Sequence, residues 1–179
     1  MGSYPATMSA FLRVFRDHWL FWALLASALM LAIAHAFETF GGYAPCTLCL
    51  RQREAYWIAG TIALAGILVT RLPTQRRLRW VFDAAVALAF AYGLYLAIYH
   101  SGAEWKWWPG PTTCSGGGGQ VSLDALSALA DGTAKIKPPA CDQAAWRMFG
   151  LSMAGWNALI SLKLLVWSVI ALLHDRRPA

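Results

Sequence analysis

Four cysteines are the residues in this chain best suited to chemistry: Cys46, Cys49, Cys114 and Cys141. Cys46 and Cys49 form a Cys-x-x-Cys motif, which serves as a redox pair, as half a zinc site or as a structural bridge. Pro45 suits the first position of a helix, because its missing N–H would have no intrahelical partner there. A helix that begins at this point brings Cys46, Cys49 and Arg53 to positions i, i+3 and i+7, on one face. The positive helix end and the guanidinium both favour a thiolate. An acidic thiol is a good leaving group and makes a reactive disulfide. Zinc sites usually present two close cysteine pairs, and Cys114 and Cys141 stand far apart, so no metal is expected. These two cysteines bracket a loop containing Gly116–Gly119. A passive staple is the commoner role for such a pair, but a glycine run so close to Cys114 favours a cysteine that swings between partners. Three disulfide connectivities are open.

Apolar runs must position these groups. Trp19 to Phe37, Ala55 to Leu72, Trp80 to Tyr99 and Trp156 to Leu173 each approach the roughly 20 residues a spanning helix needs. Any other path through lipid would strand backbone polar groups. With the second run extended back to Cys46, helices are expected at about 19–37, 46–72, 80–99 and 156–173. The fold class is then an all-α membrane protein, a single domain over 1–179 built as a four-transmembrane-helix bundle. Loops at 38–45 and 100–155 join helices one and two and helices three and four. Within the longer loop, Leu123, Leu126 and Leu129 recur at spacing three between Ser122 and Gly132, which reads as a short helix lying on the membrane.

Composition agrees. Hydrophobic residues make up 58% and charged residues 13%, against about 25% charged in ordinary soluble domains. Most of the ten Trp lie near run ends, where a half-buried ring suits a membrane interface: Trp19, Trp22, Trp57, Trp80, Trp105, Trp107, Trp108 and Trp156. The net charge of +6 reflects arginines beside run ends, with no basic stripe among exposed aromatics, so nucleic-acid binding is not expected. Arg13, Arg16, Arg71, Arg76, Arg77, Arg79, Arg176 and Arg177 place both termini and the link between helices two and three in the cytoplasm. All four cysteines then fall in the outward links, as expected of disulfide chemistry in an oxidising compartment. Arg51 and Arg53 run against the charge rule and call for a functional reason. The first run is longer than a signal-peptide core and is read as an uncleaved helix. Lys163 inside the fourth helix is read as structural, and Glu54 as an ion-pair partner of Arg53 or an interface charge.

The order of motifs resembles that of the DsbB-type disulfide-bond-formation proteins of the bacterial inner membrane. The matching residues are Pro45-Cys46-Thr47-Leu48-Cys49 with Gln52-Arg53, His100 after the third run, and Trp108-Pro109-Gly110-Pro111-Thr112-Thr113-Cys114. Cys141 with Trp146, then Phe149-Gly150-Leu151-Ser152-Met153 and Trp156, complete the set. The quinone-reducing vitamin K epoxide reductases also have a four-helix core, but there the loop pair precedes the Cys-x-x-Cys motif. Two features depart from the family pattern: Ala154-Gly155 where many members have Pro, and the length of the glycine run.

The resemblance implies a protein-dithiol:quinone oxidoreductase. Such a protein re-oxidises a DsbA-like periplasmic thioredoxin-fold dithiol and passes the electrons to ubiquinone or menaquinone. It implies that Cys114 receives the partner's thiolate, that Cys141 resolves the mixed disulfide and that Cys46 exchanges with the loop pair. Cys49 is expected at the quinone, Arg53 is expected to stabilise negative charge there, and His100 is a candidate quinone contact. The competing reading is a non-catalytic membrane scaffold with two structural disulfides.

Overall fold

The computed structural model describes residues 13–111 and 141–176. Four long helices dominate it: α1 (Trp19–Thr39), α2 (Thr47–Thr70), α3 (Arg79–Glu104) and α4 (Met153–Asp175). A 3-10 helix over Pro73–Leu78 links α2 to α3, where Pro73 ends the helical run and restarts it at N1. α1 packs on α2, α2 on α3, and α3 most closely on α4. Three helical stretches are long and apolar enough to cross a membrane: Trp19–Thr39, Pro73–Glu104 and Met153–Asp175. α2 is long enough at 24 residues, but Arg51, Arg53 and Glu54 occupy its first two turns, and its apolar run begins only at Ala55.

Small residues let these helices approach closely, as lipid-embedded packing requires. Ala23, Ala59, Ala63, Ser27 and Ser161 are all almost fully buried. A Cβ on Gly66 would stand 2.9 Å from both Leu20 and Phe82, so glycine there sets the contact of α2 with α1 and α3. The core gathers Trp19, Leu20, Tyr56, Val86 and Phe90 around these positions. Trp19 therefore departs from its expected interfacial place. It is 1% exposed, and its indole N–H donates to Ser168 Oγ of α4 at 3.0 Å. Its position at the start of an apolar run could not distinguish an interfacial ring from one turned inward against a hydroxyl. Trp57, Trp80, Trp105 and Trp107 are exposed as expected.

Asp83, which interrupts the third run, is fully buried, and Arg79 bridges it to Asp175 of α4 at 3.9 and 2.8 Å. This clamp ties α3 to α4 at the end away from the cysteines. Lys163 is exposed on α4 and makes no ion pair among the described residues, in keeping with a side chain that runs along the helix toward polar surroundings.

Two features fall outside the expected helices. α3 continues to Glu104, so His100 lies on the helix and not in the loop after it. Ahead of α4, Arg147–Met148 pairs antiparallel with Leu151–Ser152. Phe149 and Gly150 form the turn at φ 51° and 81°, the left-handed geometry that two-residue hairpins favour. Ser152 then caps α4 by accepting from Gly155 N–H at 3.1 Å. Gly116–Gly119 and the expected helix between Ser122 and Gly132 lie outside the described residues, as does Cys114.

Candidate functional site

The helix at the Cys-x-x-Cys motif starts at Thr47, two residues later than Pro45 suggests. Cys46 is the N-cap of α2, in extended backbone, and its sulfur accepts from Cys49 N–H at 3.3 Å. Capping by sulfur folds the motif back on itself. The Cys46 and Cys49 sulfurs stand 2.8 Å apart as free thiols, so oxidation needs only a small movement to reach the bonding distance of about 2.05 Å.

The two thiols are unlike. The hydrogen bond with Cys49 and burial push the Cys46 thiol up. Cys49 is pushed down, first by the hydrogen bond from Cys46 and further by the backbone bond and the Arg53 guanidinium, against the opposing effect of burial. Cys49 is therefore the more acidic thiol of the pair. That sulfur is the half-exposed member of the pair.

Arg53 follows one turn later and is mostly buried. It makes an ion pair with Glu38 at 2.5 Å and donates to the Ala34 carbonyl oxygen at 3.1 Å, both on α1. Its partner is therefore Glu38, and Glu54 pairs instead with Arg51 at 3.0 Å. Adjacent helical residues point in different directions, whereas residues three apart share a face. A guanidinium has five N–H groups, and the two described bonds leave three to meet another anion.

The loop cysteine reaches this site. Cys141 is fully buried and packs with Cys46 and Leu48, bordered by Cys49 and Tyr99. It is disulfide-bonded, while Cys46 and Cys49 are free. Its segment is held by an ion pair of Asp142 with Lys106 at 2.5 Å. The structure thus brings Cys141 and the Cys-x-x-Cys pair into one cluster, although Cys49 and Cys141 are 92 positions apart in the sequence.

His100 sits in the same cluster, buried, with Nε2 3.8 Å from Cys46 Sγ and 3.7 Å from Glu104 Oε1. Its Nδ1 meets Gln52 Nε2 at 2.9 Å. Cys46, Cys49 and His100 present ligand-type atoms within 4.8 Å of one another. Two thiolates on one tetrahedral zinc, each about 2.3 Å from the ion, would stand roughly 3.8 Å apart, so sulfurs at 2.8 Å favour the redox reading.

The family described as Disulfide bond formation protein DsbB matches residues 16–171. This chain belongs to the DsbB family. It is 27% identical over 154 residues to "Disulfide bond formation protein B" of Dechloromonas aromatica (strain RCB), covering 83% of this chain and 87% of that one. It is 28% identical over 151 residues to the protein of the same description from Nitrosospira multiformis (strain ATCC 25196 / NCIMB 11849 / C 71), covering 72% and 74%. No solved structure matches the chain significantly. As a DsbB-family member with three helices able to cross a bilayer, the chain is a membrane protein of disulfide-bond formation, with the oxidoreductase character that this implies.

Three features of this DsbB-family site were not singled out from sequence. From sequence Glu38 falls at the start of a loop and Tyr99 at the end of an apolar run, and nothing marks Gly102. Tyr99 stacks on Trp108, and Trp108 N–H donates to the Tyr99 carbonyl oxygen at 2.8 Å. A Cβ on Gly102 would meet the Trp108 ring at 2.0 Å. Gly102→Ala should displace this indole from its stack on Tyr99 and destabilise the fold by about 1–3 kcal/mol. Gly110→Ala, which meets nothing within 4 Å, serves as the control. Thermal unfolding in detergent checks this: equal midpoints for the two variants would contradict the packing described.

Proposed function

We propose that this protein oxidises a DsbA-like periplasmic dithiol and passes the electrons through its two cysteine pairs to a membrane quinone, ubiquinone or menaquinone. The observation that carries the reading is the buried cluster of Cys141 with the unlike thiols Cys46 and Cys49. Disulfide exchange needs a thiolate in line with a neighbouring sulfur, and a structural staple has no use for a second cysteine pair packed against it.

In this reading α2 is the fourth spanning helix, its polar first turns lying at the periplasmic border. The link over Pro73–Leu78 and both ends of the chain are cytoplasmic. Cys114 receives the partner's thiolate, and Cys141 is its disulfide partner and resolving cysteine. Cys46 accepts the electrons from the loop pair. The residues fit a quinone: Cys49 supplies a half-exposed sulfur whose thiol is pushed down, in part by the Arg53 guanidinium. His100 lies within 4.8 Å of both sulfurs, and Leu50, Trp57 and Ile58 leave apolar surface on α2 exposed. When bound, the quinone takes up two electrons and two protons. The protein's part is to hold Cys49 as the thiolate and to set the guanidinium against developing oxyanion charge.

The test uses the purified full chain in detergent, a short-chain ubiquinone and a reduced DsbA-like dithiol, with quinone absorbance followed over time. Turnover in the wild type that is lost in Cys114→Ser supports the reading. No turnover with either quinone class, together with cysteines unreactive toward mild reductant, would establish the scaffold alternative.

A further inference from the structure

Four polar side chains occupy positions where apolar ones would pack as well. They are Gln52 and Tyr56 on α2 and Asn157 and Ser161 on α4, all buried. Burying such groups is costly unless each finds a partner. Here they join into one chain that ends on His100. The Tyr56 hydroxyl lies 3.1 Å from Ser161 Oγ and donates to Asn157 Oδ1. Asn157 Nδ2 donates to Gln52 Oε1 at 2.5 Å, and Gln52 Nε2 meets His100 Nδ1 at 2.9 Å.

The chain has a direction. The single Tyr56 proton goes to Asn157, so Ser161 donates to Tyr56. Asn157 accepts with its oxygen and therefore turns its NH2 to the Gln52 oxygen. Gln52 in turn points its own NH2 at His100, where Nδ1 must offer a lone pair. A neutral imidazole has one N–H, so the proton sits on Nε2. That nitrogen faces Cys46 Sγ at 3.8 Å and Glu104 Oε1 at 3.7 Å, and the Cys141 backbone carbonyl competes as an acceptor for the ring N–H, so the bond to sulfur gains when the sulfur is charged. The titratable groups near it are Cys49 from α2 and Glu104 from α3, with Arg53 acting on Cys49 and Arg147 on Glu104.

We propose that Ser161, Tyr56, Asn157 and Gln52 are positioning residues that lock His100 as the neutral Nε2–H tautomer, so that its ring donates a hydrogen bond to the Cys46 sulfur whenever that sulfur carries charge. The inference rests on the exchange reading above, in which Cys46 forms and breaks a mixed disulfide with the loop pair. When the second loop thiolate attacks the first loop sulfur, the bond to Cys46 breaks and the loop disulfide forms. Cys46 leaves with the electron pair as a thiolate. No proton comes from His100, because a neutral ring with a single N–H would become an imidazolate; it contributes the hydrogen bond alone, which favours the charged sulfur.

Two measurements on the full chain in detergent test this, and neither needs quinone or a dithiol partner, so they decide the inference independently of the turnover assay. The first is the ring 15N spectrum of histidine-labelled protein, with His100 assigned by the signals lost in His100→Gln. The second is the thiolate absorbance of Cys46 against pH in a background carrying Cys49→Ser, Cys114→Ser and Cys141→Ser. The wild type should show the Nε2–H tautomer. Asn157→Leu, which touches neither the imidazole nor any sulfur, should mix the tautomers. It should also raise the Cys46 titration by about one pH unit, or roughly tenfold less thiolate at a given pH below it. Tyr56→Phe keeps the ring and removes only the hydroxyl, so it should shift both readouts the same way by less and covers the case in which Asn157→Leu does not fold. A wild-type ring with its proton on Nδ1 would overturn the proposal. So would an unchanged tautomer and titration in the folded variants.

Discussion

Cys49→Ser abolishes quinone reduction while the disulfide at Cys141 remains open to reduction by the dithiol partner. This is the largest effect expected, because serine removes both the thiolate and the capacity to form the Cys46–Cys49 bond. Cys49 is the more acidic thiol of the pair, so no neighbouring group substitutes for it. Losing a nucleophile that acts as part of a unit costs orders of magnitude in rate. Thiol trapping with mass analysis, alongside quinone absorbance, separates the two halves of the path. Turnover near the wild-type rate in Cys49→Ser would show that Cys49 is not the sulfur that hands electrons on.

Arg53→Gln is expected to lower turnover by roughly 10²–10³-fold, the usual cost of removing a donor aimed at developing negative charge in a dry site. The guanidinium has a second task, because it clamps α2 to α1 through Glu38 and the Ala34 carbonyl. Glu38→Gln separates the two roles. It removes the ion pair, which is part-exposed and worth at most about 1 kcal/mol, and leaves the guanidinium beside Cys49. Turnover close to wild type in Glu38→Gln with a large loss in Arg53→Gln assigns the effect to charge at the site. Equal losses would assign it to the clamp. The Cys49 titration should move with the same logic. Arg53 favours the thiolate, so its removal raises the pH at which Cys49 ionises, and activity limited by that thiolate shifts toward alkaline pH.

Much of this was written along the chain in local form. Apolar runs of spanning length can be counted without knowing what they touch, because lipid imposes the same length on every helix. The Cys-x-x-Cys pair at the start of α2 and Arg53 one turn on were legible for a similar reason: helical spacing alone decides which of them share a face. The hairpin at Phe149–Gly150 was not, since two-residue strands leave no periodicity to read. The sequence leaves Glu54 open as a partner of Arg53 or an interface charge; the partner is Glu38, which lies on another helix at a distance nothing in the sequence reports.

What the sequence determined by itself was the membrane class, the helical content and the identity of the reactive groups, all set by residue type and short-range spacing. Only the tertiary structure decided which groups meet. Cys141 lies against Cys46 because α3, α4 and the end of the long loop converge there. His100 receives a direction for its proton because α2 and α4 bring Gln52 and Asn157 within a hydrogen bond of each other. These contacts join residues distant in the chain, and only the packing of whole helices fixes them.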